Sequence, residues 1–197
     1  MAPREPLPLA GSSKERADAA RNRQKVLVAA REVFGAKPAD LVTMDDLARA
    51  AGVGRATLYR RYASVAAVAE ALLDEHERVI QARLLAGDGP FAPSRAPHER
   101  LHALYGALLE LLETHADLVL GSEVGRTRFA TGAYGVWHTY VRSLLEEAEV
   151  ENPRTMADVL LAPLATELFV HVRSRRSGRR ELAEALKVLA YSVLGAE

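Results

Sequence analysis

The sequence predicts an all-α fold: an N-terminal three-helix head containing a helix-turn-helix, joined to a larger helical body. Three observations predict it. Apolar residues recur at three- and four-residue spacing between turn signals, and no segment of any length alternates with period two. Thr43 to Tyr62, TMDDLARAAGVGRATLYRRY, reads as two short helices broken at Gly52-Val53-Gly54. The formal net charge is +0, but its distribution is uneven. Lys14 to Tyr62 carries 11 Lys/Arg against 6 Asp/Glu, whereas Ala63 to the end carries 14 against 19. A basic reading head on an acidic body has that signature.

At 197 residues and 49% hydrophobic content the chain can bury a sizeable core, and disorder is expected only at its start. The absence of cysteine excludes disulfides and thiolate metal sites and fits a reducing, cytoplasmic setting. No apolar run reaches the roughly 18 residues that span a bilayer, so no membrane partner is expected. MAPREPLPLAG lacks the apolar core of a secretory signal.

Taken in order, Met1 to Gly11, with Pro3, Pro6 and Pro8, is expected to be a mobile tail. Ser12 with Glu15 offers a capping box for a helix to Phe34, its apolar stripe formed by Ala19, Val26, Ala29, Ala30, Val33 and Phe34. The basic start of that helix, Lys14, Arg16, Arg21, Arg23 and Lys25, is either a solvated face or a phosphate-contacting one. Gly35 to Val42 is a turn. Thr43 is a good N-cap with Asp46 as its acidic partner, and Leu47, Ala48 and Ala51 point inward. In the Gly52-Val53-Gly54 break, one glycine supplies positive φ and the valine plugs the core. The helix from Arg55 to Tyr62 then turns Leu58 inward and Arg55, Ala56, Thr57, Tyr59, Arg60 and Arg61 mostly outward. This is the helix-turn-helix pattern of a DNA reader. Tyr59 and Tyr62 could instead pack the head's small core, a reading stronger for Tyr62 than for Tyr59.

Ser64 caps a helix to about Leu85, long enough for its far half to pack on the second part of the protein. AGDGPFAPSRAP, residues 86–97, is a loop. The expected division is a tail over 1–14, a head over 15–66 and a body over 67–197. In the body, Pro97 opens a helix to about His115 with Leu101, Leu104, Tyr105, Leu108, Leu111 and Leu112 on one stripe. Ala116 to Gly125 is a short apolar helix or turn, and Ala133 to Glu149 is a further helix. Asn152-Pro153 begins a helix to about Arg173, kinked where Pro163 removes the bond to the Val159 carbonyl. Ser177-Gly178 breaks the chain before the last helix, Arg179 to Leu194.

From about Val26 to Val68 the sequence resembles the DNA-binding domain of the tetracycline-repressor (TetR) family of bacterial regulators. VLVAAREVF, TMDDLARAAGV and GRATLYRRYAS carry the resemblance at the expected distances, and the Leu58-Tyr59 pair followed by Tyr62 and Ser64 is its most specific part. ADVLLAPLATELFV near the C-terminus is similar to helix eight of many members. The resemblance implies a homodimer whose two recognition helices enter successive major grooves of a palindromic double-stranded operator, with a small-molecule effector held by the body. It places Thr43 on phosphate, Arg55, Ala56 and Thr57 on bases, Tyr59 and Arg60 on base edge or backbone, and Arg61 and Tyr62 on backbone. Gly54 departs from the usual polar residue and Val65 from the usual lysine; Arg61, where histidine is common, can compensate. The chemistry agrees: arginine bonds bidentately to guanine, threonine's methyl suits thymine, and one bidentate pair discriminates by about 1–3 kcal/mol.

In the body, the aromatic and ionisable groups Tyr105, Glu123, Phe129, Tyr134, Trp137, His138, Tyr140, Glu167, Phe169 and His171 stand among aliphatic residues. They are candidate effector contacts, because pockets combine apolar walls with a few polar groups; ordinary core packing is the alternative. Glu167 and Glu123 would each pair with an arginine or with a cationic ligand. The final two helices would supply a four-helix dimer interface through Leu160, Leu164, Leu168, Leu182, Leu186, Leu189 and Val193, unless those side chains belong to the chain's own core. No glycine-rich phosphate loop, nucleophile elbow or His-Glu-x-x-His occurs, and only His98 and His102 stand four apart, flanking the start of a helix and lacking a nearby carboxylate trio. Neither catalysis, cofactor nor metal is expected. The leading reading is a ligand-released repressor. Its rivals are an activator, and an all-helical small-molecule-binding protein or enzyme that keeps the head as scaffold.

Overall fold

The computed structural model describes residues 11–121 and 132–195, with the side chains of residues 11–16, 39 and 116–121 outside the description. It contains nine α-helices among the described residues: α1 Gly11–Ala36, α2 Met44–Ala51, α3 Arg55–Arg61, α4 Val65–Ala86, α5 Pro97–Gly121, α6 Gly132–Glu147, α7 Pro153–Leu161, α8 Thr166–Arg173 and α9 Gly178–Leu194. No strand occurs among those residues. Two compact units divide between Leu72 and Leu73.

The head comprises α1 to α3 and the start of α4. Its core gathers Val26, Leu27 and Ala30 from α1, Leu47 and Ala48 from α2, Leu58 from α3, and Val68 and Leu72 from α4. Leu47 and Leu58 are 0% and 1% exposed. Full burial of such a side chain contributes roughly 1.5–3 kcal/mol, a large share of what so small a unit has.

The body is organised around α5, which packs on α9, α6 and α8, while α6 packs on α7. Leu101, Leu104, Tyr105 and Leu108 of α5 meet Val141, Leu144 and Leu145 of α6, Leu160 and Leu161 of α7, Phe169 of α8, and Leu182 and Leu186 of α9 in one cluster. The far part of α4 adds Ile80 and Leu84 to it.

Local differences from the sequence reading have local causes. α1 runs two residues past Phe34, and residues 116–121 continue α5 instead of forming a separate element. The helix expected across residues 153–173 is broken, not merely kinked. A 3-10 turn over Ala162–Leu164 ends α7, and Ala165 is extended at φ −61, ψ 135 before α8 begins. Proline has no N–H to continue the ladder, and the tighter turn resolves the lost bond by re-aiming the chain. An 18-residue window within residues 153–173 is apolar enough by composition to cross a membrane, at mean hydropathy 1.4. These residues instead form two short helices whose Leu160, Leu161, Leu164 and Phe169 are in the body's core.

Leu160, Leu164, Leu182 and Leu186, expected at a dimer interface, are likewise buried within the single chain, and Leu189 and Val193 pack partly against the same core. Only Leu168 of that set is exposed, at 39%. Helical spacing identifies one apolar stripe without saying which neighbour covers it. On α7, α8 and α9 the large apolar residues left outward are Val159, Leu168, Val188 and Tyr191.

Candidate nucleic-acid interface

The reading unit is built from α2 outward. Thr43 Oγ1 accepts from the Asp46 amide at 3.2 Å, and the Thr43 amide donates to Asp46 Oδ2 at 3.0 Å, a reciprocal capping box. Lys37 Nζ also donates to Asp46 Oδ2, at 2.6 Å. The bonds from Lys37 and Thr43 hold the Asp46 carboxyl far below the usual carboxylate range. The start of α2 is therefore pinned to the turn before it. Its end is set by Gly52 in the left-handed region, φ 62 and ψ 33, with the Gly52 and Val53 amides closing back on Arg49 and Ala48. A β-carbon at Gly52 would meet nothing within 4 Å among the described residues, so backbone conformation calls for glycine there.

The turn launches α3 from Gly54 with Leu58 down and Arg55, Ala56, Tyr59 and Arg60 exposed; Tyr59 is 52% exposed. Thr57 is half-buried beside Leu58 and Tyr62. Thr43 is exposed at the start of α2. Two of the expected contact residues also serve the head's own packing. Tyr62, at 6% exposure, belongs to the head's core, and among the described residues its buried hydroxyl has no hydrogen-bond partner. Arg61 Nη1 donates to the Ala19 carbonyl at 2.8 Å, tying α3 to α1. Arg55 forms an ion pair with Asp45, and Arg49 lies 3.7 Å from Asp46. Among the described residues Arg60 has no ion pair. Neither Lys37 nor Asp45 stands out in the sequence: both pairings join different elements and exist only in the folded chain.

The body candidates separate into satisfied and unsatisfied groups. Tyr105 is 1% exposed and its hydroxyl donates to the Leu160 carbonyl at 2.9 Å; burial pushes the phenol upward. It is a core residue with its polar atom paired. Tyr134 donates to Asp158 Oδ1 at 2.6 Å, and His138 Nε2 donates to the Arg154 carbonyl at 3.1 Å. These bonds tie α6 to α7. His171 is exposed and accepts from Arg175 Nη2 at 3.1 Å, and Glu167 is exposed in the first turn of α8, not buried among its leucine neighbours. Phe169 is fully buried. Trp137 Nε1 and the Tyr140 hydroxyl are buried with no hydrogen-bond partner among the described residues. Glu123 and Phe129 lie outside the described residues.

Three polar groupings in the body were not anticipated. His76 Nδ1 lies 3.2 Å from Nε2 of the buried His115. Arg100, 7% exposed, pairs with Glu147. Glu77 on α4 is the third: burial, reinforced by Asp74, pushes its carboxyl up to about 7. A carboxyl so raised holds its proton in the folded state through a range where the unfolded chain has released it. Stability from this group is therefore greatest below pH 4.5 and declines as pH rises toward 7. Glu77→Gln should flatten that decline, measured as thermal midpoints between pH 5 and pH 8, with the variant gaining most at the alkaline end.

The fold and this site define a class: a helix-turn-helix reading head with an all-α body. Residues 26–72 match the family model described as bacterial regulatory proteins, tetR family. No curated protein matches the chain. Solved structures share its fold over most of their length. A TetR-family transcriptional regulator from Pectobacterium atrosepticum is 19% identical with a TM-score of 0.68, covering 92% of this chain and 98% of its own. Reduced NemR from Escherichia coli is 18% identical at TM-score 0.62, covering 88% and 97%. NalD from Pseudomonas aeruginosa, the secondary repressor of the MexAB-OprM multidrug efflux pump, is 19% identical at 0.51, covering 89% and 98%. Over residues 26–72, and over those alone, the chain matches that family model; the solved structures extend the likeness of fold to the body.

Proposed function

We propose that this protein is a homodimeric transcriptional repressor that binds a palindromic operator and is released from it by a small-molecule effector. The observation that carries the reading is the exposed face of α3. Arg55, Ala56, Tyr59 and Arg60 stand outward over a helix anchored by Leu58, with Thr57 at its edge and Thr43 at the start of the supporting helix. Arginine and threonine there suit guanine and thymine, and Arg60 and Thr43 suit phosphate. Tyr62 supports the helix from beneath, and Arg61 anchors it to α1.

Two copies are needed to place two such helices roughly 34–36 Å apart on successive turns of the duplex. The exposed apolar side chains Val159, Leu168, Val188 and Tyr191 on α7, α8 and α9 favour that region as the mating surface. The effector is a compact molecule with an apolar body and at least one hydrogen-bonding group. Trp137 Nε1 and the Tyr140 hydroxyl support this, since a buried polar atom without a partner costs about 1–3 kcal/mol and a ligand group can supply one. The response runs along α4, which contributes Val68 to the head's core and Ile80 to the body's. A ligand shifts the equilibrium only by binding the released conformation more tightly. Repression is the sign we propose, as in the similarly folded NalD.

The test contrasts two neighbouring arginines. Arg60→Ala should weaken duplex binding and reduce the slope of log affinity against log salt by about 1 per subunit, the loss of one phosphate contact. Arg61→Ala should leave that slope unchanged and instead lower the thermal midpoint of the head. Equal slopes for wild type and Arg60→Ala would sink the assignment of this face.

A further inference from the structure

The ion pair between Arg55 and Asp45 has a consequence beyond the assignment of α3, and it rests on the DNA-reading role just proposed. Asp45 lies in the first turn of α2, beside the capping residue Asp46 but outside the capping box, which Thr43 and Asp46 complete alone. Arg55 is the first residue of α3. The pair therefore bridges the supporting helix to the start of the reading helix. Both side chains remain substantially open, 68% for Arg55 and 37% for Asp45.

A guanidinium has five N–H donors in a planar fork, and one carboxylate uses at most two of them. Arg55 held by Asp45 still has donors to present to a base edge, but its direction is fixed and its charge is locally offset. An arginine without that restraint swings freely and pairs with any phosphate within reach, which adds affinity for every duplex and information about none. We propose that Asp45 is a specificity-determining positioning residue: it holds the Arg55 guanidinium for base reading and withholds it from indiscriminate phosphate contact. The role is opposite to that of Arg60, which has no ion pair among the described residues and contributes general affinity. An acidic residue thus lies within the basic head for a reason other than helix capping. The bland alternative is that Asp45 only favours the N-terminus of α2 through the helix dipole.

The experiment compares wild type, Asp45→Ala, Asp45→Glu, Arg55→Ala and the Asp45→Ala/Arg55→Ala double variant. Each full-length protein is titrated against a duplex enriched by wild type from a randomised library and against a scrambled duplex of equal length, at several salt concentrations. Asp45→Ala should bind the scrambled duplex more tightly, with a salt slope steeper by about 0.9 per subunit, one added phosphate contact. Its preference for the enriched duplex should fall, by up to the roughly 5- to 150-fold that one bidentate arginine pair supplies. Asp45→Glu should restore part of that preference. Asp45→Ala should have no further effect in the Arg55→Ala background, because the aspartate acts through that arginine.

An unchanged preference ratio in Asp45→Ala, or the same change with and without Arg55, overturns the inference while leaving the reading role of α3 intact. If wild type itself enriches no duplex and shows no salt-dependent binding, the reading role fails and the inference falls with it. Circular dichroism of each variant separates these outcomes from loss of the head's fold, which Asp45→Glu should preserve in any case.

Discussion

Leu58→Ala is expected to abolish duplex binding at any salt concentration. Leu58 is 1% exposed and is the buried residue of α3, the point at which the reading helix is fastened to the head's core. Its removal deletes the transfer free energy of three carbons and leaves a void that the short helices around it cannot fill. Leucine-to-alanine changes at such sites cost about 2–5 kcal/mol. The head's core cluster holds only about a dozen buried side chains, so that loss is a large fraction of what keeps it folded. The body's core is a separate cluster, and most of the helical signal in circular dichroism should survive at 25 °C. A conservative Leu58→Met should retain binding, because volume is kept.

The second large effect is expected at Gly178, where α9 begins. A side chain here would place its β-carbon 1.7 Å from the Val172 carbonyl oxygen and 2.6 Å from the carbonyl carbon, both backbone atoms that no rotamer change can move aside. Gly178→Ala must therefore open the corner between α8 and α9. Overpacking of a tight site typically costs about 1–3 kcal/mol and sometimes more. The variant should lower the thermal midpoint of the body. If α7, α8 and α9 form the mating surface, it should also move the protein from dimer to monomer in sedimentation equilibrium. Gly132→Ala, where the added atom meets nothing within 4 Å among the described residues, is the matched control.

The fold was legible in the sequence wherever a local signal coincided with a packing need. Thr43 with Asp46, Gly52, Leu58 and the Asn152-Pro153 start are stated by residue type and spacing, and the helices begin or end within about two residues of those signals. The proline at 163 was legible as a disturbance but not in its extent, because whether a helix kinks or ends depends on where the following residues find their core. Phe169 and Leu164 needed the chain re-aimed, and Ala165 is extended as a result.

The candidate interface was legible for the same reason and to the same limit. Outward and inward faces of α3 follow from a period of 3.6 residues about Leu58, which placed Arg55, Ala56, Tyr59 and Arg60 outward. What periodicity does not encode is the partner. Arg61 is outward, as its spacing predicts, but it donates a hydrogen bond to the Ala19 carbonyl 42 positions away. Asp45 and Lys37 carry no signal in the sequence, because their roles exist only once α2 faces its neighbours. The leucines of α7 and α9 show the same limit on a larger scale: an apolar stripe fits a second subunit and the chain's own core equally well until the fold is known.

The central claim is that α3 reads double-stranded DNA as one of a symmetric pair. Titration of the full-length protein against a library-enriched duplex, followed by fluorescence anisotropy at 50 mM and 200 mM salt with the stoichiometric point recorded, tests it most directly. The account predicts two chains per duplex and an affinity that falls by orders of magnitude between the two salts, as several neutralised phosphates require. Binding of one chain per duplex, or an affinity indifferent to salt, would contradict it.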